Sequence, residues 1–309
     1  MKKFLIHILK FISIAIPVYL VGVCLWSWIM PQFMAKNVRS CIACYGHLYS
    51  RVRDAEKIKN PDILFLGSSH AYRGFDTRVF KKHGISTFNL GSSNQSPINT
   101  KVFLEQYLDK IHPKMVVYEV YAGTLCIDGV ESSLDMFSNG KIDQNSVKMA
   151  FKINNLMTYN TLIYGYFRQV FDLNKEVREP INQDGNFYVT GGYVESAYRE
   201  NETPNLSPSK WEINPIQIKA LEENLQILKQ RKIPFILVQT PISKAYYHSK
   251  TNNAEVDNLL QKLGPYKNFN GLLPFNDRKD FYDTDHMNQS AVVKFNEYFI
   301  KYLNSKKNL

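Results

Sequence analysis

The chain has 309 residues, 44% hydrophobic and 13% aromatic, which is ample for a packed core, and no internal repeat or low-complexity tract interrupts it. Its 38 basic residues exceed 28 acidic ones by ten, yet they are dispersed and no nucleic-acid-binding motif accompanies them. The excess fits a general attraction to anionic membranes or acidic glycopolymers, or simply a solvated surface with a basic bias.

Residues 1–30 read as a cytoplasmic tip and a transmembrane signal anchor. Phe11–Met30 is free of charge, and about twenty such residues cross a ~30 Å hydrocarbon core. Lys2, Lys3 and Lys10 precede the run and Trp26 and Trp28 sit at its far end, where an aromatic belt falls. This orientation keeps the N-terminus cytoplasmic and the remaining chain extracytoplasmic. A secretory signal is the competing reading, but Met30-Pro31-Gln32-Phe33 lacks a small-x-small cleavage pattern.

Residues 31–60 are expected to be a partly helical connector. Cys41 and Cys44 have C-x-x-C spacing and can pair in an exported protein; no thioredoxin-like context surrounds them. Four cysteines with these spacings fit no metal framework.

Residues 61–309 alternate strand and helix patterns. Apolar runs at 63–67, 86–91, 115–121 and 234–240 predict strands covered on both faces, and a weaker one is expected at 271–277. Helices are predicted at 97–111, stopped by Pro113, at 219–232, and at 288–304, capped by Asn288 or Gln289-Ser290. The pattern implies a mostly parallel sheet with helices on both faces. Residues 122–213 interrupt it, with a helical stretch around 146–172 and then a Gly-, Asn- and Tyr-rich region. An insertion there lies on the C-terminal rim of the sheet, where ligands bind in open α/β folds; it forms either a cap or a surface elaboration.

The chemistry concentrates at two distant places. Asp62-Ile63-Leu64-Phe65-Leu66-Gly67-Ser68-Ser69 runs a buried strand into a tight turn, and Asp283-Thr284-Asp285-His286 precedes the last helix. A serine hydroxyl is a weak nucleophile until a base takes its proton and a third group orients that base. Ser69, His286 and Asp283 are the candidates, with Asp285 expected to point elsewhere. Backbone N–H groups of Ser69 and Gly91, with the Asn94 side chain, are candidate oxyanion donors. Isolated Gly, Ser or Asn residues favour turns for backbone reasons alone, so the signal rests on the combination. His70 and Arg73 are candidate substrate contacts, and so is Glu119, which is otherwise a buried, hydrogen-bonded acid.

With these residues the chain resembles the SGNH/GDSL hydrolase superfamily, in particular its membrane-anchored cell-envelope branch of acyltransferases and esterases. That branch holds the teichoic acid D-alanyl transfer protein and the alginate O-acetylation proteins. Gly67-Ser68-Ser69 matches the first block, with Ser68 where many members have Asp; Gly91 matches the second and Asp283–His286 the fifth. The third strand ends Tyr118-Glu119-Val120-Tyr121-Ala122-Gly123-Thr124 and departs from the third block, which carries an oxyanion Asn. The resemblance implies a three-layer, flavodoxin-like α/β fold and acyl transfer through an acyl-serine on an envelope polysaccharide or polyol polymer. It also implies a membrane-bound O-acyltransferase partner and no metal or diffusible cofactor. The alternatives are an O-acetyl esterase of envelope glycans and a non-catalytic glycan-binding protein on a degenerate fold.

Overall fold

A computed structural model describes residues 1–202 and 204–306. Its centre is a five-stranded parallel sheet built from β1 (Ile63–Leu66), β2 (Thr87–Asn89), β3 (Met115–Glu119), β7 (Phe235–Gln239) and β8 (Tyr266–Asn268), in the order β2-β1-β3-β7-β8. The fifth strand is therefore Tyr266–Asn268, and residues 271–277 form turns beyond it. The 271–277 run contains Gly271 and Pro274, which suit a turn better than a ladder.

Side chains of the central strands alternate between two cores, as the period of two requires. Leu64, Leu66, Val116, Tyr118 and Leu237 face a core shared with helices α5 (Pro97–Ile111) and α9 (Pro215–Gln230). Ile63, Phe65, Met115, Val117, Ile236 and Val238 face α4 (Thr77–Lys82) and α12 (Gln289–Ser305), where Phe295 and Phe299 pack. Helix α9 starts four residues before its expected position because Asn214 caps it, accepting from Ile216 N–H, with Pro215 at the first position. Asn288 is the N-cap of α12 but makes no capping bond; its amide donates to Arg199 and Lys279 carbonyls instead.

The insertion is more structured than a single helical stretch. It contains α6 (Val130–Asn139), α7 (Gln144–Ile153) and α8 (Leu156–Val170), the last two separated by Asn154 in left-handed backbone and Asn155 as a cap. The Gly- and Tyr-rich region forms an antiparallel sheet of β4 (Asn182–Gln183), β5 (Asn186–Val189) and β6 (Tyr193–Ser196).

At the N-terminus, α1 (Lys2–Ile29) is the one helix among the described residues long and apolar enough to cross a membrane. The connector that follows bears a Cys41–Cys44 disulfide and ends in α2 (Leu48–Ala55). From α2, the fully buried Arg51 donates to the carbonyls of Gly46, Gly91 and Gly192 at 2.9, 3.0 and 2.9 Å and lies over the Tyr72 ring. It thus ties the connector, the exit of β2 and the β5–β6 turn together. Arg51→Met strands two buried carbonyls and a part-buried one and is expected to cost about 3 kcal/mol or more. By thermal melt this is a fall of roughly 5–12 °C. Arg51→Lys does not restore it, because an ammonium lacks the guanidinium fork.

Candidate active site

The site lies at the carboxyl ends of the strands, where β1 and β3 separate chain excursions to opposite sides of the sheet. At the exit of β1, Gly67 has a φ of +132°, and a Cβ there would meet the Glu119 carbonyl at 2.6 Å. Only glycine lets β1 turn this close to β3. The turn delivers Ser69 as the first residue of α3 (Ser69–Gly74), with Ser68 as N-cap accepting from His70 N–H.

The partner loop follows β8. Asp283 Oδ1 accepts from the backbone N–H of Asp285 at 3.0 Å and of His286 at 2.7 Å, folding Asp283–His286 onto itself. Ser243, at the exit of β7, donates both its N–H and its hydroxyl to the Thr284 carbonyl and latches the loop to the sheet. A bridge between Phe281 and Met287 closes its base.

These two devices bring Ser69 and His286 together. Nε2 of His286 stands 2.8 Å from Ser69 Oγ, and Nδ1 stands 2.9 Å from Asp283 Oδ2. Asp285 does not point away: its Oδ1 is 3.2 Å from the same Nδ1. Two carboxylates at Nδ1 fix the proton there and leave Nε2 to accept from the serine hydroxyl. Burial opposes a charge on His286, but its surroundings outweigh this and hold its pKa well above the usual histidine value. Tyr282, stacked on the ring at 5.4 Å, is itself pushed up by burial and stays neutral near pH 7, so Asp283 and Asp285 supply the effect. Burial also opposes the Asp285 charge, and the His286 N–H overcomes it, keeping Asp285 ionised.

His70, a candidate substrate contact from the sequence, is stacked on His286. The ring centroids are 4.6 Å apart, and Tyr121 covers the other face of His70 at 3.9 Å. His70 Nδ1 lies 3.1 Å from Ser68 Oγ, which is 3.1 Å from Glu119 Oε2, and Nε2 lies 3.6 Å from Asp285 Oδ2. Burial, and then the charge of His286, push His70 down to about 4, so the ring is neutral. Burial raises Glu119 to about 8. The Ser68 hydroxyl donates to Glu119 Oε2 and accepts from the His70 backbone N–H, so Ser68 links the His70 ring to the buried acid.

Glu119 is only 2% exposed and lies beneath the Gly67–Ser69 turn, closed off from solvent. Since its folded pKa lies above the unfolded value, its contribution to stability is full below about pH 4.5 and is lost as pH rises through about 8. Glu119→Gln is expected to flatten that loss. Melting temperatures of both proteins between pH 5 and 9 check this.

The expected oxyanion donors fare differently. Ser69 N–H opens α3 and so has no intrahelical acceptor. Gly91 N–H is already given to Asn89 Oδ1 at 3.1 Å. Gly91 matters instead for space, since a Cβ would lie 2.8 Å from the Ser68 carbonyl. The Asn94 side chain donates to Glu131 at 2.5 Å on the exposed rim and does not turn to the serine. Just beyond β3, Tyr121 packs against the His70 ring.

Arg73 is not a solvated surface residue. It donates to Asn186 at 2.8 Å and to Ser196, and lies over the rings of Tyr72 and Tyr282. Tyr72 and Arg73 are three and four residues beyond Ser69, on the same side of α3, and both line a cleft of about 390 Å³. Ser93, in hydrogen-bond contact with the Tyr72 hydroxyl at 3.1 Å, Glu131 and Asp135 also line it.

No protein-family model and no curated protein matches this chain. Among solved structures, a candidate acylhydrolase from Bacteroides fragilis NCTC 9343 is similar at 12% identity and a TM-score of 0.43. The match covers 85% of this chain and 98% of that one. A GDSL-like lipase from Bacteroides thetaiotaomicron VPI-5482 is similar at 12% identity and a TM-score of 0.41, with the same coverage.

Proposed function

We propose that the protein is a membrane-anchored, SGNH-type serine enzyme that transfers O-acyl groups to a cell-envelope polysaccharide or polyol polymer through an acyl-serine. The observation that carries this reading is the continuous set Ser69 Oγ, His286 Nε2 and Asp283 at 2.8 and 2.9 Å. Ser69 attacks the carbonyl of an acyl donor while Nε2 takes its proton. The developing oxyanion is held by Ser69 N–H, and the imidazolium by Asp283 and Asp285. Collapse breaks the donor C–O bond, with Nε2–H protonating the departing alkoxide. An acceptor hydroxyl then repeats the steps in reverse, giving its proton to Nε2 and releasing Ser69.

Water in place of the acceptor makes the same site an O-acetyl esterase, the second reading. The single clear backbone oxyanion donor and the cleft beside α3 favour a slow enzyme with an extended polar substrate. Against the non-catalytic glycan-binding reading stands the joined geometry of all three side chains. The charge-free run of α1, preceded by lysines, supports a single-pass anchor with a cytoplasmic N-terminus. Acyl delivery to the outer face then calls for a membrane-bound O-acyltransferase as partner.

Incubation with an activated acetyl ester, with and without an O-deacetylated envelope glycan, tests the assignment. Acetylated glycan formed at the expense of free acetate supports transfer. Acetate release unaffected by the acceptor favours the esterase, and neither product in a Ser69-dependent manner removes the enzyme.

A further inference from the structure

We propose that α8 is a second membrane contact, an apolar helix face seated in the outer leaflet beside the anchor. This rests on the reading of α1 as a membrane span. The two helices run side by side: the Tyr19 phenol donates to Asn160 at 2.5 Å, and nine residues on the Trp28 ring lies 6.4 Å from Phe167. Between them Gly22, Val23, Trp26 and Leu156 line a groove of about 380 Å³. The folded body therefore reaches along the anchor as far as Tyr19.

The part of α1 left free, Lys2–Val18, is roughly 25 Å long at 1.5 Å per residue, short of the ~30 Å hydrocarbon core. It also contains Lys10 near its middle, where a charge is costly. Sliding the bilayer toward Met30 relieves both problems, and it necessarily immerses the first turns of α8. The surface of α8 suits that position. Leu156, Tyr159, Ile163, Tyr166 and Val170 recur at three- and four-residue steps and form one stripe. Leu156, Tyr166 and Val170 are 60%, 54% and 56% exposed. The polar residues of α8 turn inward: Thr158, Asn160, Thr161 and Arg168 are buried, and Arg168 donates to the carbonyls of Ser40 and Ser138. A water-facing helix has the opposite arrangement. Aromatic and aliphatic residues on the outside, Leu156, Tyr166 and Val170, match the interfacial layer of a bilayer, while Tyr159 is half-buried against Phe151 at the edge of the stripe.

The test uses the full chain in phosphatidylcholine vesicles, in a Cys24→Ser, Cys126→Ser background that keeps the Cys41–Cys44 disulfide. An environment-sensitive NBD label is placed singly at Leu156→Cys, Tyr166→Cys, Ser13→Cys and Lys301→Cys, the last in α12. Labels at 13, 156 and 166 are expected to emit to the blue and to lose about half or more of their intensity in tail-brominated lipid, while 301 is unaffected. Quenching at 13 with water-like emission at both 156 and 166 overturns the inference and leaves the anchor standing. A label at 13 that is not quenched removes the anchor itself and this inference with it. Two stripe positions guard against one variant misfolding.

Discussion

Ser69→Ala is expected to lower acyl-ester turnover by about 10⁴-fold or more and to abolish covalent labelling by a fluorophosphonate probe. The size follows from the geometry: among the described residues no hydroxyl other than that of Ser69 is hydrogen-bonded to His286 Nε2, and Ser68, one residue away, is spent on His70 and Glu119. His286→Ala should fall nearly as far, and the double variant little further, since nucleophile and base act as one unit. Intact-mass spectrometry after labelling checks the first result, and equal labelling of wild type and Ser69→Ala would overturn the assignment. Unchanged melting temperature in Ser69→Ala separates lost chemistry from lost fold.

The second large effect concerns the two carboxylates at Nδ1. Asp283→Asn is expected to reduce kcat by about 10²–10⁴-fold, as loss of an orienting carboxylate does. It should also move the acid limb of the kcat/KM profile. The base works as neutral imidazole, so activity rises as pH climbs through the His286 pKa, which the carboxylates hold high. Removing one lowers that pKa, and the limb shifts to lower pH. Asp285 retains a contact of 3.2 Å, so the shift in Asp283→Asn should be partial and that in the double variant larger. An unmoved limb in the double variant would show that neither carboxylate sets the proton affinity of His286.

The strand-helix alternation was legible because buried parallel strands are short apolar runs, and four of the five lie where 63–67, 86–91, 115–121 and 234–240 predict them. The fifth, Tyr266–Asn268, is an edge strand of three half-buried residues and carries no such run. The antiparallel β4–β6 sheet hid behind a Gly- and Tyr-rich composition that also describes a loop. Ser69, Asp283 and His286 could be singled out because two local turns bring them to one rim. His70 could not be placed by the same reasoning. Its position depends on Tyr121 and His286 stacking from opposite sides, a relation among three distant segments with no pattern in the sequence. The same is true of Gly91 and Asn94, whose donors are taken by Asn89 and Glu131.

The latch from Ser243 to Thr284 has a consequence for biogenesis. The base is mounted on a loop that closes only after β7 and β8 have joined the sheet, whereas the nucleophile belongs to the first strand to emerge. A polypeptide still being synthesised therefore carries Ser69 without its imidazole partner. The Ser69–His286 contact is completed only in the last steps of folding, once β7 and β8 have taken their places.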